Sequence, residues 1–271
     1  MWACPVCQTA LILSGSQWQC GSNHSYDRAR AGYVNLLLAN QKNRPDPGDN
    51  KAMLSARRAF LETDHYLPLV HALADSITQH LQQTSLAIHD AGCGEGYYLS
   101  RIAARLEAAG RSINATGNDI SRSAIEMAAK KYPRLQFAIA GNFNLPLQSS
   151  SRDAVLQVFA PSLDAEVHRV LASGGLWVRV TPAPEHLIQL RAALYEKPQP
   201  HEAVEVIPDG FELLQQSRLQ FDFQLQDLPG RRVLLMMTPY YWRVEPDALN
   251  TVLEQMAELT ADFSISVLQK Q

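Results

Sequence analysis

With 271 residues, 46% of them hydrophobic and 19% charged, the chain can bury one full core plus a small appendage, as an ordinary water-soluble enzyme does. No apolar run approaches the roughly 18 residues of a membrane span, and no charged-then-apolar leader opens the sequence, so a cytoplasmic location and no membrane partner are expected. A net charge of −3 and a pI of about 6.2 weigh against nucleic acid as a partner of the chain as a whole.

The first pattern in chain order is a metal site. Cys4 and Cys7 form a CxxC, twelve residues follow, and Cys20 and His24 form a CxxxH. Three thiolates and one imidazole at this spacing suit a structural Zn2+ closed to substrate, with Pro5 stiffening the first knuckle. Free or disulfide-linked cysteines are the alternative. Residues 1–38 hold few apolar side chains, so metal binding is expected to supply the folding energy of this module, on the order of 10 kcal/mol. Residues 39–50 are polar with two prolines and read as a linker, leaving 51–271 as the main domain. Charge divides along similar lines: residues 1–60 carry seven basic and three acidic side chains, +4, against −7 for the remainder. A basic module on an acidic body fits local grip on a polyanion, here RNA; the bland alternative is a solvated basic face.

Helix-like segments at Lys51–Glu62 and Pro68–Gln82 lead to the short apolar run Leu86–Ile88 and the loop Asp90-Ala-Gly-Cys-Gly-Glu-Gly-Tyr-Tyr98. Gly92, Gly94 and Gly96 allow a ligand to approach bare backbone at the carboxyl end of a strand. A dinucleotide loop would read GxGxxG and a phosphate loop would continue into GK[ST]; this one reads GxGxG, with a carboxylate at Glu95 and another at Asp90. That chemistry suits a cationic ligand, S-adenosylmethionine, and the stretch resembles the first motif of class I methyltransferases.

Further strands are expected at Ile113–Gly117, Gln136–Ala140, Ala154–Phe159 and Gly175–Thr181, each separated by a helical or loop segment. This is the alternation of an α/β, doubly wound, Rossmann-like sheet. Asp119 follows the second strand, where a carboxylate accepts hydrogen bonds from both ribose hydroxyls of an adenosine; capping the helix that opens at Ser121 is its alternative role. After the third strand, Gly141-Asn-Phe-Asn-Leu-Pro146 lacks the carboxylate that many class I enzymes aim at adenine, and Asn142 could offer its amide oxygen instead. Residues 197–210, with Pro198, Pro200 and Pro208, read as a variable loop near the active-site face.

A more specific resemblance runs the length of the chain. Cys4-Pro-Val-Cys7, Cys20 to His24, Gly32-Tyr-Val-Asn-Leu-Leu37, Asp46-Pro-Gly-Asp49, Ala56-Arg-Arg-Ala-Phe-Leu61, His65-Tyr66, the glycine loop and Thr238-Pro-Tyr-Tyr-Trp-Arg243 together resemble the RlmA-type 23S ribosomal RNA (guanine-N1)-methyltransferases. The resemblance implies that Gly94 and Glu95 hold S-adenosylmethionine, that Tyr66 covers it from the preceding helix, and that His186 reaches it from beyond the fifth strand. Read without the resemblance, Tyr66 is a core aromatic and His186 a helix-start or surface histidine. It also implies a homodimer whose basic modules, 1–38, frame an RNA cleft, and an acceptor guanine in a hairpin loop of 23S rRNA. The family's Pro-Gly-Pro-Arg-His appears here as Pro182-Ala-Pro-Glu-His186, with an acid in place of a base.

Guanine N1 bears a proton, so its methylation requires proton removal, in-line approach and a base freed from pairing. Val158-Phe-Ala-Pro-Ser162, at the end of the fourth strand, is where class I enzymes present the acceptor, with Phe159 or Pro161 able to pack on it. No side chain stands out as the proton acceptor, and the cysteines all have other assignments, which favours direct transfer to nitrogen over a covalent cysteine route. Two rivals are a small-molecule methyltransferase with a structural zinc brace and a noncatalytic zinc-dependent RNA-binding protein.

Overall fold

The computed structural model of the chain describes residues 2–39, 49–197, 199, 201 and 206–271, so most of the expected 39–50 linker and part of the expected 197–210 loop lie outside the described residues. Three short antiparallel strands, β1 (Ile12–Ser14), β2 (Gln17–Gln19) and β3 (Ser25–Asp27), form a small sheet. After β4 (Val34–Asn35) come α1 (Lys51–Leu61), α2 (Leu67–His80), β5 (Ser85–Ala91), α3 (Tyr97–Ala108), β6 (Ser112–Asp119), α4 (Arg122–Lys131), β7 (Gln136–Ile139) and β8 (Arg152–Val158). The chain continues through α5 (Asp164–Val170), β9 (Leu171–Pro182), α6 (Ile188–Leu194), β10 (Phe211–Gln224), α7 (Leu228–Met236), α8 (Leu249–Glu254) and β11 (Glu258–Lys270). Both expected helices and all five expected strands are present.

The main sheet has the order β10-β11-β9-β8-β5-β6-β7-β4. Strands β4 to β9 pair in parallel, whereas β11 runs antiparallel to both β9 and β10. The order reverses at β5, since β6 and β7 extend one way and β8 and β9 the other. The doubly wound, Rossmann-like sheet therefore has its switch point at the glycine loop, where open α/β sheets place ligands. Local chemistry sets the helix starts: the Asn50 side chain accepts from the Met53 amide, Ser121 from Ala124 and Asp227 from Gly230.

Two cores lie on the two faces. Alternation along β8 and β9 sends Ala154, Leu156, Val158, Leu176, Val178 and Val180 into one core, with α1 to α4 and α6 to α8 packed there. Val155 and Trp177 belong to the other core, which α5 covers through Val167 and Val170. The rest of that second face is covered by the amino-terminal module. Trp2, 1% exposed, and Leu11 share this core with Ala91, Ala138, Leu145 and Leu147. Trp2 bridges to Leu147, the Ala3 amide donates to the Pro146 carbonyl, and β4 extends the main sheet beside β7.

The antiparallel pair β10 and β11 was not expected from the sequence. Along β10, exposed Arg218, Gln220 and Gln224 alternate with Leu219, Phe221 and Phe223, the period-two pattern of a half-buried edge strand. The inner strand β11 buries Thr260, Asp262 and Ser266, polar residues that disguise a core strand.

Because Trp2 fills sheet core, Trp2→Ala should lower unfolding free energy by about 3–5 kcal/mol. Ile12→Ala on the same module, where Ile12 is 66% exposed, should change it by about 0.5 kcal/mol or less. Urea unfolding of the full chain measures both, and equal small effects would mean that the module does not share the sheet's core.

Candidate functional site

Amides of Gly92 and Cys93 both donate to the Asn118 carbonyl at 2.9 Å, and the Gly96 amide donates to Cys93, which folds the loop back over the β5–β6 edge. Gly92 has φ +84°, and a Cβ there would lie 2.5 Å from Ala160 Cβ and 2.9 Å from Asn142 Nδ2. Glycine is thus required for the ligand loop to touch the loops after β7 and β8. A Cβ on Gly117 would lie 2.8 Å from Cys93 Sγ, so the thiol is clamped inward. Burial and the nearby carboxylates push the Cys93 thiol well above its ordinary range, which leaves it inert as a nucleophile.

This loop forms one wall of a cleft of about 760 Å³, lined by Tyr66, Gly92, Gly94, Glu95, Asp119 and His186 together. All six residues singled out for the cofactor meet around one space, whose volume is typical of small-molecule sites, about 300–1,000 Å³. Asp119 Oδ2 accepts from the Gly94 amide at 3.0 Å and Oδ1 from the Ser121 amide at 2.8 Å. The helix cap is Ser121 itself. Asp119 is thereby locked with its remaining lone pairs available at the cleft.

Asp90, Glu95 and Asp119 concentrate three carboxyls here. Burial, reinforced by Asp119 and Glu95, pushes Asp90 up from 3.8 to about 8. Burial also raises Glu95 and Asp119. Asp90 Oδ1 and the Tyr66 hydroxyl are buried without a hydrogen-bond partner, and both residues line the cleft. Orphaned acceptors beside crowded carboxyls match a ligand that brings donors and positive charge. One cation faces them: Arg57 also lines the cleft and pairs with Asp49 at 2.5 Å. Sequence reasoning gave Arg57 only a place in a motif, because nothing in its helical spacing distinguishes a cleft-facing arginine from a solvated one.

The far wall is aromatic. Tyr66 packs edge-on to Phe60 and Phe263 at 4.9 and 5.1 Å between centroids. Phe159 stacks on His186 at 6.0 Å and 29°. Its φ of +56° is strained for a non-glycine residue, yet it remains 44% exposed and lines the cleft.

His186 is oriented by β11. The Asp262 amide donates to its Nδ1 at 3.3 Å, while the Glu185 amide donates to Asp262 Oδ2 at 2.8 Å and the Leu187 amide to the Thr260 carbonyl. Arg218 grips Asp262 through Nε and Nη2, both at 2.7 Å. Burial, with His201 and Arg191, drives His186 down to about 3. The ring is neutral, Nδ1 accepts, and Nε2 therefore carries the hydrogen. Glu185, the departure from the family's basic residue, lies 3.6 Å from Arg218. Asp262 was not singled out from the sequence, since a lone acid in a strand carries no motif.

Asn142 is committed elsewhere than expected. Its Oδ1 accepts from Asn118 Nδ2 at 2.9 Å and its Nδ2 donates to the Pro161 carbonyl at 3.0 Å. Asn118 in turn accepts from His89 Nε2 at 2.7 Å, and the His89 ring lies edge-on to Trp2 at 6.2 Å.

The second site lies in the amino-terminal module. Ligand atoms of Cys4, Cys7, Cys20 and His24 all lie within 4.8 Å of one another. Cys7 and Cys20 sulfurs are 3.6 Å apart, and His24 Nδ1 is 3.5 Å from Cys4 and 3.4 Å from Cys20. A tetrahedron with zinc–sulfur bonds of about 2.3 Å has edges of about 3.8 Å, so the donor set fits zinc in number, type and spacing. Thr9 and Tyr26 hydroxyls lie 3.1 and 3.2 Å from Cys7 and Cys4 sulfurs, as supporting donors to thiolates.

Comparison with known proteins matches the two regions that hold these residues. Residues 2–44 match the family model described as RlmA, N-terminal, a zinc ribbon, and residues 88–175 match a methyltransferase domain. The 23S rRNA (guanine(748)-N(1))-methyltransferase of Streptomyces fradiae is 34% identical, with 97% of this chain and 92% of that protein covered. Candidate 23S rRNA (guanine-N(1)-)-methyltransferases of Bacillus subtilis and Micromonospora griseorubida are each 31% identical, covering 100% and 94% of this chain and 97% and 91% of their own length.

Two outcomes are expected from these geometries. Metal analysis of the full chain should find stoichiometric zinc, lost in Cys20→Ser; equal zinc in both would break the ligand set. For the ligand-free chain, a folded Asp90 value of about 8 against 3.8 means a stability contribution present at low pH and lost as pH rises through 8. Melting temperature should accordingly fall between pH 6 and 8.5, and Asp90→Asn should flatten that fall and melt higher at pH 8. A variant whose melting curve keeps the wild-type pH slope would exclude Asp90 as its source.

Proposed function

The chain belongs to the RlmA-type 23S rRNA (guanine-N1)-methyltransferases, and from that premise we propose that its cleft holds S-adenosylmethionine against an unpaired guanine and directs the methyl group to N1. The observation that carries the reading is the cluster of Asp90, Glu95 and Asp119 at the GxGxG loop and the end of β6, all three lining the cleft, with Asp90 Oδ1 buried and unpartnered. When bound, S-adenosylmethionine supplies an electrophilic methyl on a positively charged sulfur. Asp119 takes the ribose hydroxyls, Gly92 and Gly94 give close access to backbone, and Asp90 and Glu95 meet the positive charge. Tyr66 closes the pocket from the start of α2. Arg57, displaced from Asp49, would take the carboxylate of the methionine moiety.

The acceptor lies against Phe159. A strained aromatic, exposed at the cleft and stacked on His186, offers a flat surface for a purine. Pro161, tied to Asn142, fixes the end of that loop. His186 presents an Nε2–H donor to the bound ligand and is not the base for the N1 proton, because its Nδ1 lone pair is already used.

Finer features of the reading are a guanine in a hairpin loop, a homodimer, a cytoplasmic location and a zinc module at 1–38 that contributes to RNA recognition. A balance of +4 over residues 1–60, of which 1–38 carries +1, and relatives named for rRNA support the RNA part of this reading. No described helix is long and apolar enough to cross a membrane. Relatives named as rRNA (guanine-N1)-methyltransferases weigh against a small-molecule acceptor and against a noncatalytic RNA-binding role.

Purified chain with S-adenosylmethionine and a 23S rRNA hairpin transcript should yield 1-methylguanine by nucleoside mass spectrometry and a reverse-transcription stop at the modified base. A mark on another base, or on small molecules alone, would defeat the assignment. Asp119→Ala removes two hydrogen bonds to a ribose, so the KM for S-adenosylmethionine should rise about 10- to 100-fold with the KM for RNA little changed; an unaltered cofactor KM would remove Asp119 from the site.

A further inference from the structure

Beside the cleft stands an aromatic ledge that the reaction described above does not use. Pro239–Arg243, sequence Pro-Tyr-Tyr-Trp-Arg, forms a single 3-10 helix directly after α7. In such a helix side chains three apart eclipse one another. Tyr240 and Arg243 bear this out, because both reach Tyr195: the Tyr240 ring at 6.3 Å and Arg243 Nη1 at 3.0 Å from the hydroxyl. Pro239 and Trp242 share the next face by the same rule. Pro239 and Tyr240 both line the cleft, so Trp242 follows two residues beyond the last cleft-lining residue of this segment.

Trp242 is 62% exposed, whereas Trp2 and Trp177 are each 1% exposed. Leaving an indole in water forfeits the burial energy of the largest apolar side chain, and nothing in the described fold compensates for it. The ledge is nonetheless firmly seated. Tyr240, Tyr241 and Val244 pack against the main core, the Thr238 hydroxyl donates to the Leu235 carbonyl at 2.7 Å, and the Tyr241 ring meets Trp242 edge-on at 5.2 Å. Arg243 makes no ion pair among the described residues and donates from Nη1 to the Tyr195 hydroxyl. An exposed indole next to a guanidinium without a carboxylate partner among the described residues is the pairing that takes a nucleotide: base on the ring, phosphate on the cation.

We propose that Trp242 stacks on an unpaired base of the RNA next to the guanine in the cleft, with Arg243 on the adjoining phosphate, so that the ledge positions the substrate. This rests on the rRNA reading above and extends it to a specific nucleotide contact. A second base held outside the cleft would keep the loop open while the guanine is extruded, and would supply discrimination for loops over paired RNA.

The test uses the full chain and a 23S rRNA hairpin transcript. Trp242→Ala should raise the RNA KM about 5- to 100-fold, with kcat at saturating RNA and the KM for S-adenosylmethionine unchanged, and Trp242→Phe should recover most of the loss. Transcripts with an abasic site at each nucleotide flanking the guanine identify the partner: one should weaken wild type but cost Trp242→Ala nothing more. RNA should also quench tryptophan emission in wild type and not in Trp242→Phe, a readout independent of methyl transfer. Methylation by wild type with an unchanged RNA KM in Trp242→Ala overturns the ledge alone, as does a shifted sedimentation coefficient in Trp242→Ala without loss of RNA affinity. Quenching by RNA without methylation upholds the ledge and overturns the reaction.

Discussion

Everything at the cleft follows from crowding carboxyls into a place where water cannot reach them. Asp90 is 2% exposed and Glu95 3%, and Asp119 stands at the neighbouring strand end. Such a cluster is unfavourable by itself, because desolvation and mutual repulsion both resist ionisation. It persists because parallel pairing of β5 with β6 and glycine at three alternate positions leave the loop no other course. The ligand-free fold is thus less stable at this point than a polar or neutral loop would make it, and a cationic ligand recovers the difference on binding. Site and ligand are complementary through a repulsion that the protein alone cannot relieve.

That arrangement needs a stiff floor, and the amino-terminal module helps to provide it. In a doubly wound sheet helices cover both faces; here α5 and the module share the second one. From the module a continuous path leads through the sheet: Trp2 meets His89 edge-on, His89 holds Asn118, and Asn118 holds Asn142, which fixes Pro161 in the loop after β8. Each member has its hydrogen bonds fixed, and His89, fully buried and driven down to about 3 by burial, stays neutral throughout. Zinc organises the far end of this path without touching the chemistry. A module that looks in sequence like an appendage for RNA is also part of the support for the loop after β8.

The sequence made some of this legible and hid the rest for identifiable reasons. Strands β5 to β9 and the glycine loop could be read because their apolar runs and turn residues are local. The metal ligands were legible because spacing within two knuckles is also local. Strand β11 was not, since polar residues occupy buried hydrogen-bonding positions in it, and β10, although its residues alternate, lies at the edge beside β11 alone. Arg57 and Asp262 escaped because their significance comes from tertiary approach: one helix laid across the cleft, one carboxylate beneath a turn 77 residues away in the chain. Trp242 lay in a recognisable motif, but only the structure shows that it is left in water.

The replacement of a basic residue by Glu185 before His186 shows how a site keeps its geometry while its local charge changes. An acid here, next to buried Asp262, would repel it if nothing intervened. Arg218 from β10 intervenes, bidentate to Asp262 and 3.6 Å from Glu185. With Asp262 neutralised and held, its own amide remains aimed at His186 Nδ1 and the Glu185 amide at its carboxylate. The tautomer of His186 is therefore set by backbone, and the changed charge at position 185 is absorbed on the solvent side of the pair. The edge strand β10, absent from the minimal α/β alternation, thereby holds Asp262 in place while the β11 amide determines which nitrogen of the imidazole carries the hydrogen.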